Sequence, residues 1–211
     1  MALQVVWFKR DLRLHDHRPL VEAAQRGPVL PLYVAEPELW QRPDSSARQW
    51  NFCREALQDL NEALTGLGQP LVVRVGEVVA VLEAAHRRHG IGGLWSHQET
   101  GNLWTYERDR KVAAWAKDRG IPWRECASFG VIRGLKDRRG WARAWEQRMA
   151  EPLLAPPSAL PPLADYPLPL RQALIASEDS RFGWNSGIDL FGTLRSLALG
   201  TGGGSGLAQQ V

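Results

Sequence analysis

The residues with the clearest chemical potential follow the first apolar run of the chain. Residues 7–16 are Trp-Phe-Lys-Arg-Asp-Leu-Arg-Leu-His-Asp, so charged side chains of both signs follow a predicted strand directly. Open α/β sheets bind ligands at the carboxyl ends of their strands, where an arginine and a carboxylate can hold the polar edges of a ligand. The alternative role is structural. Ion pairs among Arg10, Asp11, Arg13 and Asp16 would then fix the loop, and we expect this role for most of them.

Further polar residues are expected at the same edge of the sheet. Glu36 follows the second predicted strand, and His97 and Glu99 follow the fourth. Arg48 lies at the start of the longest predicted helix, where a helix amino terminus favours anionic groups. Together with Arg10, these residues are predicted to line one ligand crevice.

Several common kinds of site are missing from the sequence. No Gly-x-Gly-x-x-Gly follows the first strand, and no Gly-Lys-Ser/Thr phosphate loop is present. His86 and His89 lack partners at a zinc-binding spacing and are predicted to end a helix at Gly90. No segment has the context of a catalytic nucleophile. We therefore expect neither a metal site nor a catalytic residue.

Apolar patterning predicts the elements that must position these residues. Strands are expected at residues 3–8, 29–34, 71–75, 93–96 and 122–126, and helices at 19–25, 46–67, 77–89 and 105–119. The second of these helices should bury a stripe formed by Phe52, Ala56, Leu60 and Leu64. Strands that alternate with helices and are apolar on both faces predict a Rossmann-like, doubly wound parallel five-stranded α/β sheet, with the first strand central.

The composition changes after residue 130. Residues 1–130 are expected to form the α/β domain, and residues 131–170 a basic helix followed by a proline-rich linker. Trp141 and Trp145 lie among arginines in this helix; stacking on nucleic acid is conceivable, but their helical spacing favours packing. Residues 171–211 are expected to be an incomplete or disordered tail, which indicates a chain cut short.

Charge and hydropathy limit the function further. The net charge is +3, 44% of the residues are hydrophobic, and no apolar run approaches the length of a bilayer span. The mild basic excess permits an anionic partner without requiring one. Charged residues follow the first strand, and only Cys53 and Cys126 are present, so we expect a cytoplasmic protein without disulfides.

The segment at residues 7–16 resembles the opening of the DNA photolyase and cryptochrome family. Ser46-Ala47-Arg48, Gly76-Glu77, and Arg108-Asp109 after Trp95 also resemble positions that recur in this family. The resemblance covers about residues 1–155. The resemblance implies that the chain is part of a light-driven flavoprotein. In such proteins the amino-terminal α/β domain holds an antenna pigment, and a following helical domain holds FAD and damaged DNA.

The resemblance also implies what to expect of this chain. Intact members of the family repair pyrimidine dimers by a photo-lyase reaction. The FAD-binding helical domain is expected to be absent from this chain. We therefore expect this chain alone to be inactive, and we expect it to be a monomer. Family members that use a deazaflavin or FMN antenna have an arginine near the position of Arg48 and an acid near the position of Glu99, so the resemblance implies such an antenna. A methenyltetrahydrofolate antenna uses an Asn-Glu pair where this sequence has Trp104-Thr105, although Trp104 could stack on a pterin.

Two other functions remain open at this stage. The chain could be a stand-alone pigment- or nucleotide-binding module without catalysis, or a non-functional remnant. The sequence distinguishes neither photolyase from cryptochrome nor one antenna pigment from another, and an empty antenna pocket is an equal alternative.

Overall fold

A computed structural model describes residues 2–160 of the chain. The strands are β1 (Leu3–Phe8), β2 (Val29–Ala35), β3 (Val72–Val75), β4 (Ile91–His97) and β5 (Trp123–Cys126). The helices are α1 (Arg18–Ala24), α2 (Pro37–Trp40), α3 (Ala47–Gly66), α4 (Val78–His89), α5 (Leu103–Asp118) and α6 (Trp141–Met149). The predicted strands and helices are confirmed within a few residues. The predicted tail at 171–211 and residues 161–170 of the predicted linker lie outside the described residues.

The five strands form one parallel sheet in the order β3-β2-β1-β4-β5. The predicted doubly wound architecture with a central first strand is therefore confirmed. β1 pairs with β2 from Gln4 opposite Val29 to Phe8 opposite Tyr33, and with β4 on its other side. The carboxyl ends of β1, β2 and β4 consequently lie side by side at one edge of the sheet.

The core has two layers because side chains of a strand alternate between the faces of the sheet. Val5 and Trp7 of β1 pack with the residues of α4 and α5, whereas Val6 and Phe8 pack with those of α1 and α3. All six residues of β1 are buried, as a central strand covered on both faces requires. This packing fixes the position of the polar loop that follows Phe8.

Helix α3 buries a different stripe from the one predicted. Leu60 and Leu64 are buried as expected, but Trp50 and Leu57 complete the buried face, while Phe52 is 74% exposed. The i, i+4 spacing of Phe52 was misleading because the apolar face of this helix includes Trp50, two residues earlier. Phe52 instead lies beside the carboxyl edge of the sheet, where it contributes to a cavity.

The end of helix α4 is determined by two residues, His86 and Gly90. His86 lies in the last turn of α4 and its Nδ1 accepts a hydrogen bond from the Ile91 amide, while Gly90 ends the helix at a φ of 66°. The predicted helix end is therefore confirmed.

In α6, Trp141 and Trp145 stack with ring centroids 5.7 Å apart and remain partly exposed. Within residues 2–160, no helix combines the length and apolarity needed to cross a bilayer.

Candidate functional site

A cavity of about 250 Å³ lies at the carboxyl edge of the sheet, beyond β1 and β2 and against α3. Its walls are largely aromatic and aliphatic, and they include Trp7, Phe8, Tyr33, Leu39, Trp40 and Phe52. Charged side chains occupy its edge, among them Arg10, Glu36, Glu99 and Arg108. Apolar walls with a few fixed polar groups are typical of small-molecule sites in proteins.

Arg108 organises the charged side of this cavity from helix α5. Its Nη1 donates to Glu36 at 2.9 Å, and its Nη2 donates to Glu99 at 2.5 Å and to Asp109 at 2.9 Å. The guanidinium also lies 4.8 Å from the ring centroid of Trp7. Since Arg108 and its three carboxylate partners are buried, the pairs hold the ends of β2, β4 and α5 in fixed positions.

A second buried cation extends the same network beneath the cavity. The Lys9 ammonium lies 3.1 Å from Asp109 and 3.7 Å from Glu125, and 4.6 Å from the ring centroid of Trp7. Arg133 also pairs with Glu125, at 2.9 Å. Lys9 and Arg108 thus share Asp109, and removing that carboxylate would leave two cations with fewer partners in a buried environment.

The pKa of Glu36, a residue of the cavity wall, is shifted by this arrangement. Burial raises the pKa of Glu36 to about 7, although the charge and hydrogen bond of Arg108 act to lower it. Arg108 divides its hydrogen bonds among three carboxylates, so its attraction to Glu36 does not offset desolvation. The cavity wall therefore changes its charge near neutral pH.

Tyr33 and Cys53 form a neutral hydrogen-bonded pair on another wall. The Tyr33 hydroxyl lies 3.2 Å from the Cys53 sulfur. Burial is the largest of the effects that raise the pKa of each group, so both remain protonated near neutral pH. These side chains can pack against a ring and offer a hydrogen bond, but Cys53 lacks the thiolate that nucleophilic chemistry needs.

The structure brings together half of the predicted site residues. Arg10, Glu36 and Glu99 line the cavity, and Arg10 Nε lies 3.4 Å from Glu99. Arg48 is exposed in the first turn of α3 and does not line the cavity; its neighbour Gln49 does. A position in the first turn of a helix does not by itself specify which residue of that turn faces the sheet.

Trp104 and His97 also lie outside the lining of this cavity. The Trp104 indole donates to Glu38 at 3.4 Å, and its ring centroid lies 5.7 Å from the Arg108 guanidinium. His97 is buried between β4 and the loop after β1, where its Nδ1 lies 2.6 Å from Asp11. Sequence reasoning missed Arg108 as a cavity residue, although the Arg-Asp pair in a helix was visible.

The loop after β1 is fixed differently from the predicted ion pairs. Within residues 2–160, no ion pair joins Arg10, Asp11, Arg13 and Asp16 to one another. Arg13 donates to the backbone carbonyls of His15 and Asp16. The expectation failed because the backbone carbonyls are closer and Asp11 turns inward.

Asp11 joins two histidines in a buried cluster. Its Oδ2 lies 2.8 Å from His17 Nε2 and 2.6 Å from His97 Nδ1, and its Oδ1 accepts from the Lys9 amide at 2.9 Å. Burial acts to raise the pKa of Asp11, but the hydrogen bonds from both histidines hold it well below its usual range. Asp11 is therefore an ionised acceptor for both rings.

The same three residues place their ligand atoms within 4.8 Å of one another, a spacing that could hold a metal ion. His17 argues against this use, because its Nδ1 accepts a hydrogen bond from the Leu20 amide and caps α1. A neutral histidine that binds metal through Nε2 carries its proton on Nδ1, which would oppose that amide. The donor set therefore fits a hydrogen-bonded cluster better than a metal centre.

The parallel sheet and the cavity at its carboxyl edge define a doubly wound α/β domain with a candidate ligand site. Comparison with known proteins identifies its family. The family model described as DNA photolyase matches residues 4–132, which is more than half of the chain. The protein belongs to the DNA photolyase family, and these residues correspond to its amino-terminal α/β domain.

Curated relatives include two bacterial enzymes. The deoxyribodipyrimidine photo-lyase of Escherichia coli is 40% identical over 86 residues, which are 39% of this chain and 18% of the relative. That of Salmonella typhimurium is 31% identical over 135 residues, which are 61% of this chain and 27% of the relative. The chain therefore spans only about a quarter or less of the length of these relatives.

Solved structures confirm the fold. The cryptochrome of Synechocystis sp. aligns with a TM-score of 0.66 at 22% identity, covering 77% of this chain and 37% of that structure. A photolyase of Sulfolobus tokodaii, solved with two FAD molecules, aligns with a TM-score of 0.63 at 19% identity. That alignment covers 93% of this chain and 45% of the archaeal protein.

Proposed function

We propose that the cavity at the ends of β1 and β2 binds a planar aromatic pigment that harvests light for the whole protein. The observation that carries this proposal is the combination of aromatic walls and a charged edge around about 250 Å³. Pockets for drug-sized ligands measure roughly 300–1,000 Å³, so this one suits a single flat ring system better than a dinucleotide. Trp7, Tyr33 and Trp40 supply flat surfaces for such a ring.

The charges around the cavity bear on the class of pigment. Glu36, Asp44 and Glu99 line the cavity, and the guanidinium of Arg108 is already bonded to Glu36, Glu99 and Asp109. A ring can donate N–H or O–H groups to these carboxylates, and Lys9 and Arg10, which also line the cavity, can donate to its carbonyl oxygens. A deazaflavin and FMN are therefore both candidates, and methenyltetrahydrofolate is the third.

In the whole protein, we propose that excitation of this pigment passes to an FAD held outside the described domain. That FAD would drive the photo-lyase reaction on pyrimidine dimers in damaged DNA, inside the cytoplasm. The relatives from Escherichia coli and Salmonella typhimurium are deoxyribodipyrimidine photo-lyases, which supports this activity. The described residues would contribute light absorption and pigment binding, and no catalytic group.

The test is a fluorescence titration of a deazaflavin, FMN and methenyltetrahydrofolate into the wild-type chain and matched variants. Phe52→Ala removes an exposed wall of the cavity, and we expect about tenfold weaker binding of the preferred pigment. Leu103→Ala is the control, because Leu103 is similarly exposed, at 69%, and does not line the cavity. Arg48→Ala should also bind normally, since Arg48 lies outside the lining.

Two outcomes would contradict the proposal. If none of the three pigments binds the folded wild-type chain, the cavity is not a pigment site. If Phe52→Ala and Leu103→Ala bind the preferred pigment equally well, a pigment binds this chain elsewhere.

A further inference from the structure

A separate crevice lies at the same edge of the sheet, between the ends of β1, β4 and β5. It consists of two adjoining cavities of about 200 Å³ and about 260 Å³, which share Arg13, His97, Ser128 and Phe129. None of these four residues lines the pigment cavity. We call this space the β1–β4 crevice.

The strand order gives this crevice a favourable position. The chain leaves β1 toward β2 on one side, whereas it leaves β4 toward β5 on the other, so adjacent β1 and β4 form the switch point of the sheet. Loops that diverge at such a point leave a gap between them, and open α/β sheets characteristically bind ligands there. The pigment cavity, in contrast, lies on the β1–β2 side.

His97 brings to this crevice a ring nitrogen that makes no hydrogen bond among residues 2–160. Its side chain is almost fully buried, and its Nδ1 is engaged with the ionised Asp11 carboxylate at 2.6 Å. The other ring nitrogen, Nε2, makes no hydrogen bond within residues 2–160. With Nδ1 engaged by Asp11, the Nε2 atom is the ring nitrogen left to hydrogen-bond with a ligand in the crevice, for example with a protonated phosphate oxygen.

Two arginines add positive charge to the crevice, and neither forms an ion pair with a carboxylate among residues 2–160. Arg13 donates to the carbonyls of His15 and Asp16, and Arg148 donates to the carbonyl of Ala127. A carbonyl accepts the hydrogen bond without cancelling the charge, so both guanidiniums remain available to an anion. Both line the larger cavity of the crevice, together with His97 and Ser128.

The acidic residues of the crevice are fewer than its cations. Arg18 is paired with Glu151 at 2.8 Å, and these two charges offset each other. The remaining lining carboxylate of the larger cavity is Asp16, which accepts from the Leu154 amide. In the larger cavity, Arg13 and Arg148 therefore leave an excess of positive charge over Asp16.

We propose that the β1–β4 crevice is an anion site for a phosphate group, inorganic or carried as a nucleotide monoester, bound by Arg13, His97, Ser128 and Arg148. Four hydrogen-bonding side chains from separate parts of the chain suit a tetrahedral oxyanion better than a planar carboxylate. The two available guanidiniums give the positive charge that a phosphate requires, and the imidazole adds a hydrogen bond. This site does not depend on pigment binding.

The experiment is a calorimetric titration of inorganic phosphate, thymidine 5′-monophosphate and the diester dinucleotide TpT into the full chain. The histidine ring nitrogens are followed in parallel by NMR. We expect the first two ligands to bind and to shift the His97 Nε2 resonance. His97→Asn keeps a donor near Asp11 and removes Nε2, and should weaken phosphate binding about tenfold.

A matched pair of arginine variants separates the site from general charge attraction. Arg148→Gln should weaken phosphate binding about tenfold, whereas Arg143→Gln on the same helix should not, because Arg143 does not line the crevice. Arg148→Gln also keeps the test open if His97→Asn fails to fold. Inorganic phosphate and the monophosphate binding equally would show that the phosphate alone is recognised. Tighter binding of the monophosphate would show an added nucleoside contact.

Three results would overturn the proposal. The wild-type chain could fail to bind either inorganic phosphate or the monophosphate, or the two arginine variants could lose affinity equally. Binding of TpT alone would reject a monoester site and point to a nucleic-acid backbone as the ligand.

Discussion

Replacing Glu36 with glutamine should change how the stability of this domain depends on pH. Glu36 has a folded-state pKa of about 7 against an ordinary value of 4.5, because burial disfavours its charged form. Between these values the folded state holds a proton that the unfolded state has lost. The group therefore contributes stability at low pH, and this contribution disappears as the pH rises through about 7.

The size of the effect follows from the difference between the two pKa values. Between about pH 5 and about pH 8, the linkage relation gives a loss of about 2.5 kcal/mol from this single group. The glutamine side chain of Glu36→Gln has a similar shape and cannot ionise. The free energy of unfolding of this variant should therefore not fall by this amount as the pH rises. Relative to the wild type, the variant should therefore gain about 2.5 kcal/mol in stability over the same interval.

Urea unfolding at several pH values measures this difference directly. Glu55→Gln is the matched control, because Glu55 is exposed on α3 and should leave the pH dependence unchanged. His17 has a pKa lowered by burial and contributes the opposite slope, but it is present in all three proteins and cancels in the comparison. If Glu36→Gln and the wild type show parallel curves from about pH 5 to about pH 8, Glu36 is charged throughout and the reasoning from burial is wrong.

Other substitutions test the network, the core and one helix end, all by urea unfolding. Asp109→Asn should destabilise the fold by about 3 kcal/mol, since the buried Lys9 loses its nearest carboxylate; an unchanged midpoint would show that Glu125 compensates. Leu64→Ala should cost about 2–5 kcal/mol because this side chain is fully buried, and a cost below about 1 kcal/mol would contradict tight packing. Gly90→Ala should destabilise by about 1 kcal/mol at its positive φ, whereas Gly66→Ala, in open space on α3, should not.

The strands and helices could be predicted because their signals are local. β1 and β2 are continuous apolar runs, and a run apolar on both faces implies a buried parallel strand wherever it lies in the chain. The carboxyl edge of the sheet follows from that topology, so Arg10, Glu36 and Glu99 could be placed at one cavity.

The remaining site residues could not be predicted because their roles depend on distant partners. Asp11 turns toward His17 and His97 instead of the neighbouring arginines, and His97 is 86 residues away in the sequence. Arg48 and Gln49 are adjacent at the start of α3, and only the rotation of the packed helix decides that Gln49 lines the cavity. Such choices are made by packing and are not visible in spacing.

The central position of β1 has a consequence for the order of folding. β1 is synthesised before the other four strands of this sheet, and its partner β4 does not exist until residues 91–97 have been made. Until then one edge of a largely apolar strand has open backbone donors and acceptors, and such edges pair readily with other chains. Pairing between segments so far apart in the sequence is slow to form, so the β4 side of β1 stays open longer than a local pairing would leave it.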